Sequence, residues 1–166
     1  MAGALHHLLA DDHERLDALL ASMIATDGAI DPLRYAEFRR GLLRHIGIEE
    51  RILFPLVRKT GGDQRLIEQL HRDHALLSAL LVPPPALSEI EAIRAVLVAH
   101  NPLEENAGGL YDRIEELAAD GLTDLLGRVA AFPEPPLAPH ADSVVLRRTI
   151  EQLTREAERG RAALMR

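Results

Sequence analysis

Between its stops, almost every segment of this chain repeats apolar residues at three-and-four spacing rather than in the two-residue alternation of a half-buried strand. That pattern predicts an all-α fold. A first helix is expected from about Gly3 to Ala25, ending at the TDG turn of Thr26 to Gly28. Asp31 reads as an N-cap with Pro32 at the first helical position, opening a long helix that stops at Gly61-Gly62. Asp63 caps a third helix, which the triple proline Pro83 to Pro85 terminates. Ser88 followed by Glu91 has capping-box spacing and predicts a fourth helix reaching about Ala119. A short helical stretch follows near Leu122 to Ala131. The run PEPPLAPH, Pro133 to His140, cannot continue a helix, because its prolines lack the amide proton and clash with the preceding turn. The expected organisation is a four-helix bundle over residues 1–132, a Pro-rich linker over 133–141 and a C-terminal helix over 142–166.

With 166 residues and 47% apolar content, the chain suffices for one compact domain with a sizeable core. A net charge of -7 and only 3% aromatic residues provide no basic patch with stacking side chains, so nucleic acid is not an expected partner. There is no cysteine, and histidines and acids interrupt MAGALHHLLADDHERL, so neither a disulfide framework nor a secretory signal is visible. No apolar run approaches the roughly 20 residues that span a bilayer. A cytoplasmic protein without membrane attachment is expected.

The stripe of the second helix is Phe38, Leu42, His45, Glu49, Ile52 and Leu56, with a histidine and a glutamate in the middle of an apolar face. Residues four apart differ by about 40° in direction, whereas Glu50 lies about 140° from His45; Glu49 should face in and Glu50 out. The first helix repeats the anomaly with Leu9, His13, Leu16 and Leu20, and the third with Ile67, Leu70, His74, Leu77 and Leu81. The fourth supplies Ile93, Val96, His100, Glu104, Ala107 and Tyr111. A single core histidine is ordinarily satisfied by a neighbour. Four histidines with two glutamates are different: burying the carboxylates costs several kcal/mol each, and histidines could balance them only by staying protonated against desolvation. A bound cation removes the difficulty, and imidazole with carboxylate suits iron, zinc, manganese or copper.

An internal repeat sharpens this reading. LADDHERLDALL (Leu9 to Leu20) and LHRDHALLSALL (Leu70 to Leu81) agree at Leu, Asp, His, Leu and the Ala-Leu-Leu ending, and each precedes a helix bearing HxxxEE, at His45 and at His100. Two hairpins, each with one histidine and one HxxxE pair, form a pseudo-twofold bundle with room for two metal ions between them.

The ordered elements DDHERL, HIGIEERILFP, HRDHALL and HNPLEE, across about residues 4 to 131, resemble the hemerythrin-like, or HHE cation-binding, domains. The resemblance implies an antiparallel up-and-down four-helix bundle holding two iron ions with a bridging hydroxide or oxide. On this chain it implies that His13 and His45 hold one iron, that His74 and His100 hold the other, and that Glu49 and Glu104 bridge. His71 would be an extra ligand, although it stands three residues from His74 where hemerythrin has a spacing of four. A glutamate four after the last histidine replaces hemerythrin's aspartate five after it, as in many bacterial relatives. Zinc or manganese could substitute for iron.

The expected function is a di-iron protein that binds dioxygen or a related diatomic such as nitric oxide, for sensing, storage or redox protection. Two rivals use the same residues. One is a di-iron oxidoreductase, acting as peroxidase, oxidase or nitric-oxide-linked repair factor; the chain has one ExxH, Glu68 to His71, where ferritin-type oxidases need two. The other is a zinc-stapled interaction bundle. His6 reads as a bystander near the site, and Pro102 as a kink in the fourth helix. In the last helix Leu146, Ile150, Leu153, Ala157, Gly160 and Leu164 form a narrow seam, which either packs on the chain's own bundle or pairs two chains as a homodimer.

Overall fold

The structure, a computed structural model, describes residues 3–166. It is all-α: α1 spans Ala4–Ser22, α2 Pro32–Ile48, α3 Phe54–Thr60, α4 Gln64–Leu80 and α5 Leu87–Glu105. Three further helices follow, α6 Leu110–Leu117, α7 Leu122–Ala130 and α8 Val144–Leu164. Side-chain caps start α2, α4 and α8. Asp31 accepts hydrogen bonds from the amides of Leu33 and Arg34 (2.9 and 3.2 Å), Asp63 from Leu66 (3.0 Å) and Ser143 from Leu146 (3.1 Å), each worth about 1 kcal/mol.

The core divides into two apolar layers. One joins the beginning of α1 (Leu5, Leu9) with the far end of the α2–α3 arm (Ile52 to Val57), the beginning of α4 (Leu66, Ile67, Leu70) and α6 (Leu110, Ile114). The other joins the end of α1 (Leu16, Leu20) with the beginning of α2 (Tyr35, Phe38, Leu42), the end of α4 (Leu76 to Leu81) and the beginning of α5 (Ile90, Ile93). Beginnings meet ends throughout, so the four arms run alternately up and down, as expected of helices joined by short turns. The polar residues of the four stripes lie between the two layers.

Several boundaries differ from expectation. The α1 helix ends at Ser22, three residues early, where Ile24 bridges to Ile30 across the TDG turn. Ser88 does not cap the fourth helix: Ala86 holds the N-cap position, and the Ser88 hydroxyl donates to Glu89 Oε2 at 2.8 Å. The helix expected to reach Ala119 breaks after Glu105, and the sequence NAGG explains it. Asn106 is extended, Gly108 takes a left-handed φ of +73°, and a Cβ at Gly109 would lie 2.6 Å from the Glu104 carbonyl oxygen. Helical structure continues past Pro102 for three residues before that break.

The second helix is interrupted by a π-helical turn, Glu49–Leu53, in which the Phe54 amide donates to the Glu49 carbonyl five residues back. Pro55, two residues beyond the turn, has no amide to return to the Arg51 carbonyl, which weakens α-type bonding there.

The segment after α7 is strapped down. Arg44 donates to the carbonyls of Phe132 (2.9 Å) and Val129 (3.0 Å), Arg39 to Ala138 (2.7 Å), and the Ala141 amide to Val82 (3.1 Å). Beyond it α8 packs along α4. Ala157 is fully buried, Gln69 Nε2 donates to the Ala157 carbonyl at 3.1 Å, and Ile150 and Leu153 press on the second core layer. Of the two uses of the seam left open by the sequence, the structure shows packing on the chain's own bundle. No helix among the described residues is long and apolar enough to cross a membrane.

Because Ala157 is fully buried where α8 meets α4, Ala157→Leu should destabilise the fold by about 1–3 kcal/mol through overpacking. Urea denaturation followed by circular dichroism measures this. A change within about 0.5 kcal/mol, the range of an ordinary surface substitution, would mean that α8 does not dock there.

Candidate metal centre

Six of the seven residues singled out by the sequence meet in the layer between the two apolar clusters. Glu49 and Glu104 are fully buried at its centre, and His13, His45, His74 and His100 are each at most 5% exposed. They form two overlapping groups of potential ligand atoms, His13–His45–Glu49–Glu104 and Glu49–His74–His100–Glu104. Each carboxylate turns one oxygen to each histidine pair. Glu49 Oε1 is 3.3 Å from His45 Nε2 and Oε2 is 3.1 Å from His74 Nε2. Glu104 Oε2 is 3.5 Å from His13 Nε2 and Oε1 is 3.1 Å from His100 Nε2.

All four histidines thus present Nε2 inward, because a carboxylate holds each Nδ1 from behind. His45 Nδ1 pairs with Asp12 (2.9 Å), His100 Nδ1 with Asp73 (3.3 Å), His74 Nδ1 with Glu50 (2.9 Å), and His13 Nδ1 closely with Glu105. The bracing follows the internal repeat. Each DH aspartate orients the histidine of its own hairpin's HxxxEE, and the second glutamate of each HxxxEE orients the DH histidine of the other hairpin. Such outer carboxylates fix the tautomer and raise imidazole basicity.

This corrects the expectation that Glu50 faces solvent. Its side chain is 22% exposed, and its Oε1 lies between His74 Nδ1 and His71 Nδ1. An extra residue in the π-helical turn spreads Glu49 and Glu50 less widely in direction than an α-helix would, so consecutive glutamates both reach histidines of α4. His71 joins neither group. Its side chain is 59% exposed and its Nδ1 is spent on Glu50 at 2.8 Å; it stands about 60° from His74 on the side away from the buried Leu70 and Leu77, off the inward face. His6, 13% exposed, pairs with Asp112 at 3.0 Å.

From the sequence alone, no part in the site falls to Asp12, Asp73, Glu50 (turned outward), Glu105 or the hydroxyl of Tyr111. The repeat carried a signal for the first four, since it preserves the aspartate before each DH histidine and the second glutamate of each HxxxEE. Tyr111 had none. Its fully buried hydroxyl lies 2.8 Å from Glu49 Oε1, 3.2 Å from Glu104 Oε2, 3.2 Å from His45 Nε2 and 3.4 Å from His13 Nε2.

A cation fits this donor set. Three buried atoms, Glu49 Oε2, His74 Nε2 and Glu104 Oε1, lack a hydrogen bond although they lie near one another: His74 Nε2 and Glu49 Oε2 are 3.1 Å apart but not aligned as donor and acceptor. Atoms that converge without bonding in a dry core point to a charge they share. The bracing extends to α8, where Arg161 pairs closely with Asp73 Oδ1 and Gln69 Nε2 donates to the same oxygen at 2.9 Å, leaving Asp73 Oδ2 for His100.

In metal-free protein the same convergence is met by protons. Burial pushes His45 down, but the Glu49 charge and the Asp12 hydrogen bond overcome it and raise the imidazole to about 10. Burial likewise opposes the charged form of His100, and Glu104 and Asp73 raise it to about 10. For Glu49, burial acts upward and the histidines hold the carboxyl well below its usual range. A raised histidine contributes stability that is complete below its unfolded value of 6.5 and is lost as pH rises toward 10; a depressed glutamate contributes stability above 4.5 that is lost as pH falls. Metal-free protein should therefore be most heat-stable between about pH 4.5 and 6.5 and weaken steadily toward pH 10, with the metal-loaded form flatter over that range. Melting curves of chelator-treated and reloaded samples test this. An alkaline limb equally flat in both would contradict the charge assignment.

Comparison with curated proteins and with solved structures gives no match. A family model does match, that of the hemerythrin HHE cation binding domain, over residues 4–114. The match covers more than half of the chain and includes all four inward histidines and both central glutamates, so this protein belongs to the hemerythrin HHE cation-binding family.

Proposed function

We propose that this chain is a non-haem di-iron protein of hemerythrin type that binds dioxygen or a related diatomic, such as nitric oxide, for sensing, storage or redox protection. One observation carries the reading: Glu49 and Glu104 each direct one carboxylate oxygen to the His13–His45 pair and the other to the His74–His100 pair. That arrangement suits two ions sharing two bridging carboxylates, with His13 and His45 on one and His74 and His100 on the other. Iron, when bound, supplies the redox-linked affinity for small diatomic molecules.

The chain's residues prepare the place. Asp12, Asp73, Glu50 and Glu105 hold the imidazoles with Nε2 inward and favour their donor capacity. The two apolar layers exclude water from either side, with the Phe54 ring stacked parallel on His74 at 5.3 Å. A surface depression of about 320 Å³, lined by His13, Asn101, Pro102 and Glu105 among others, brings solvent to the α1–α5 edge of this layer and offers a small molecule a short approach.

A di-iron oxidoreductase is the second reading, favoured by the position of His71. With that side chain turned to Glu50, the two ion positions have two histidines each, without the extra histidine that the resemblance implied for one of them. Anaerobic reconstitution with ferrous iron, followed by the visible spectrum on adding and removing oxygen, separates the two readings. A band that forms and is lost again supports reversible binding, and rapid irreversible oxidation supports the enzyme. Retention of zinc with refusal of iron would reject both in favour of a stapled bundle.

Three substitutions test the bridging roles and the brace behind His74. Glu49→Ala or Glu104→Ala should lose at least one of two ions per chain, measured by metal analysis after dialysis; full occupancy in both variants would sink the bridging role. Glu50→Gln, which removes the anionic brace behind His74, should weaken metal binding by about 10- to 100-fold in competition with a chelator. Unchanged affinity would leave Glu50 a mere surface partner of His71.

A further inference from the structure

The two histidine pairs are related by the internal repeat, but their surroundings are not. Over the His74 side lies Phe54, whose ring is parallel to the imidazole within 2°. In the corresponding place beside His13 lies Tyr111, with ring centroids 6.0 Å apart. Phe54 follows the π-helical turn after the first HxxxEE, and Tyr111 follows the NAGG break after the second. Each pair thus has one aromatic ring against it, and only one of the two rings carries a hydroxyl.

That hydroxyl is not placed as an ordinary buried phenol. A tyrosine carries one proton and donates one hydrogen bond. Tyr111 Oη instead has four polar neighbours at 2.8 to 3.4 Å, one from each residue of a single group: Glu49, Glu104, His45 and His13. Donor atoms held about 2.1 Å from one ion and at right angles stand about 3 Å apart. Tyr111 Oη is at that separation from all four candidate ligands of the first group.

We propose that Tyr111 is a fifth protein ligand at the His13–His45 position, which makes the two metal positions unequal: two histidines, shared carboxylates and a phenol oxygen on one, two histidines and shared carboxylates on the other. The inference rests on the di-iron reading and adds to it. The resemblance made His71 an extra ligand beside His74; the geometry points instead to Tyr111, on the opposite position. Coordination releases the phenolic proton to solvent and changes no oxidation state. A hard anionic oxygen favours the ferric over the ferrous ion, so the inequality bears on which position is oxidised more readily.

The chain has two tyrosines, Tyr35 and Tyr111, which makes the test clean. Full-length protein is loaded with iron, oxidised to the ferric state and examined by visible absorption and resonance Raman spectroscopy, with iron content measured in parallel. Wild-type protein should show a tyrosinate-to-iron charge-transfer band with enhanced tyrosine ring modes. Tyr111→Phe, which places at 111 the residue found at 54, should lose both while keeping its helical circular dichroism and at least one iron per chain. Two irons in wild-type protein without tyrosinate modes would overturn this inference and leave the di-iron reading standing; no iron in wild-type protein would overturn both. Modes persisting in Tyr111→Phe would also overturn it. Should that variant not fold, Tyr35→Phe decides: modes retained there assign them to Tyr111, and modes lost there reject the assignment.

Discussion

Two carboxylates with no exposed surface, Glu49 and Glu104, sit between two apolar layers, and most of the structure around them can be understood as their compensation. An isolated buried carboxylate is costly enough to unfold a domain of this size. Here each faces two imidazoles, each imidazole is backed by a further carboxylate, and those outer carboxylates reach solvent or an arginine. Charge is passed outward in steps from a dry centre to a wet surface. The same ladder that tolerates the glutamates aims four Nε2 atoms at them, so folding and the preparation of a cation site are one requirement.

The cross-bracing has a structural consequence. Asp12 and Asp73 work within their own hairpins, whereas Glu50 and Glu105 work between hairpins, Glu50 on His74 and Glu105 on His13. The second pair locks the hairpins together at the level of the site rather than at their tips. A glutamate that follows another in a continuous α-helix is turned about 100° away from it. The π-helical turn at Glu49–Leu53 brings Glu50 to it on one side, and α5 ends directly after Glu105 on the other. Local departures from the α-helix therefore fall where the site needs adjacent residues to serve one layer.

The last helix is part of the same system. Arg161 and Gln69 share one oxygen of Asp73 and leave the other to His100, so an element outside the four-helix frame holds the orientation of a candidate ligand. Asp12, the equivalent residue in the first hairpin, leans on the more exposed Arg15 of its own helix. The outer support is thus unequal on the two sides, as are the aromatic neighbours inside, Phe54 beside His74 and Tyr111 beside His13.

The sequence by itself determined the helical class, the four arms and the six inward residues, because these depend on period alone: a histidine or glutamate inside an apolar stripe at three-and-four spacing must face what the stripe faces. It also carried, unread, the outer carboxylates, preserved in register by the repeat. Tertiary structure decided what period cannot express. The wider π-helical turn moved Glu50 inward, His71 fell on the side of α4 away from Leu70 and Leu77, and an extended Asn106 ahead of the left-handed Gly108 ended α5 early. Partners far apart in the chain were likewise invisible: Glu115 accepts the Leu5 amide at 2.6 Å and supplies a cap that α1 lacks locally, Arg161 reaches Asp73, and the Tyr111 hydroxyl enters the first ligand group. Periodicity fixes the direction of a side chain on its own helix; what stands opposite it is set only when helices pack, and at this site the chemistry lies in what stands opposite.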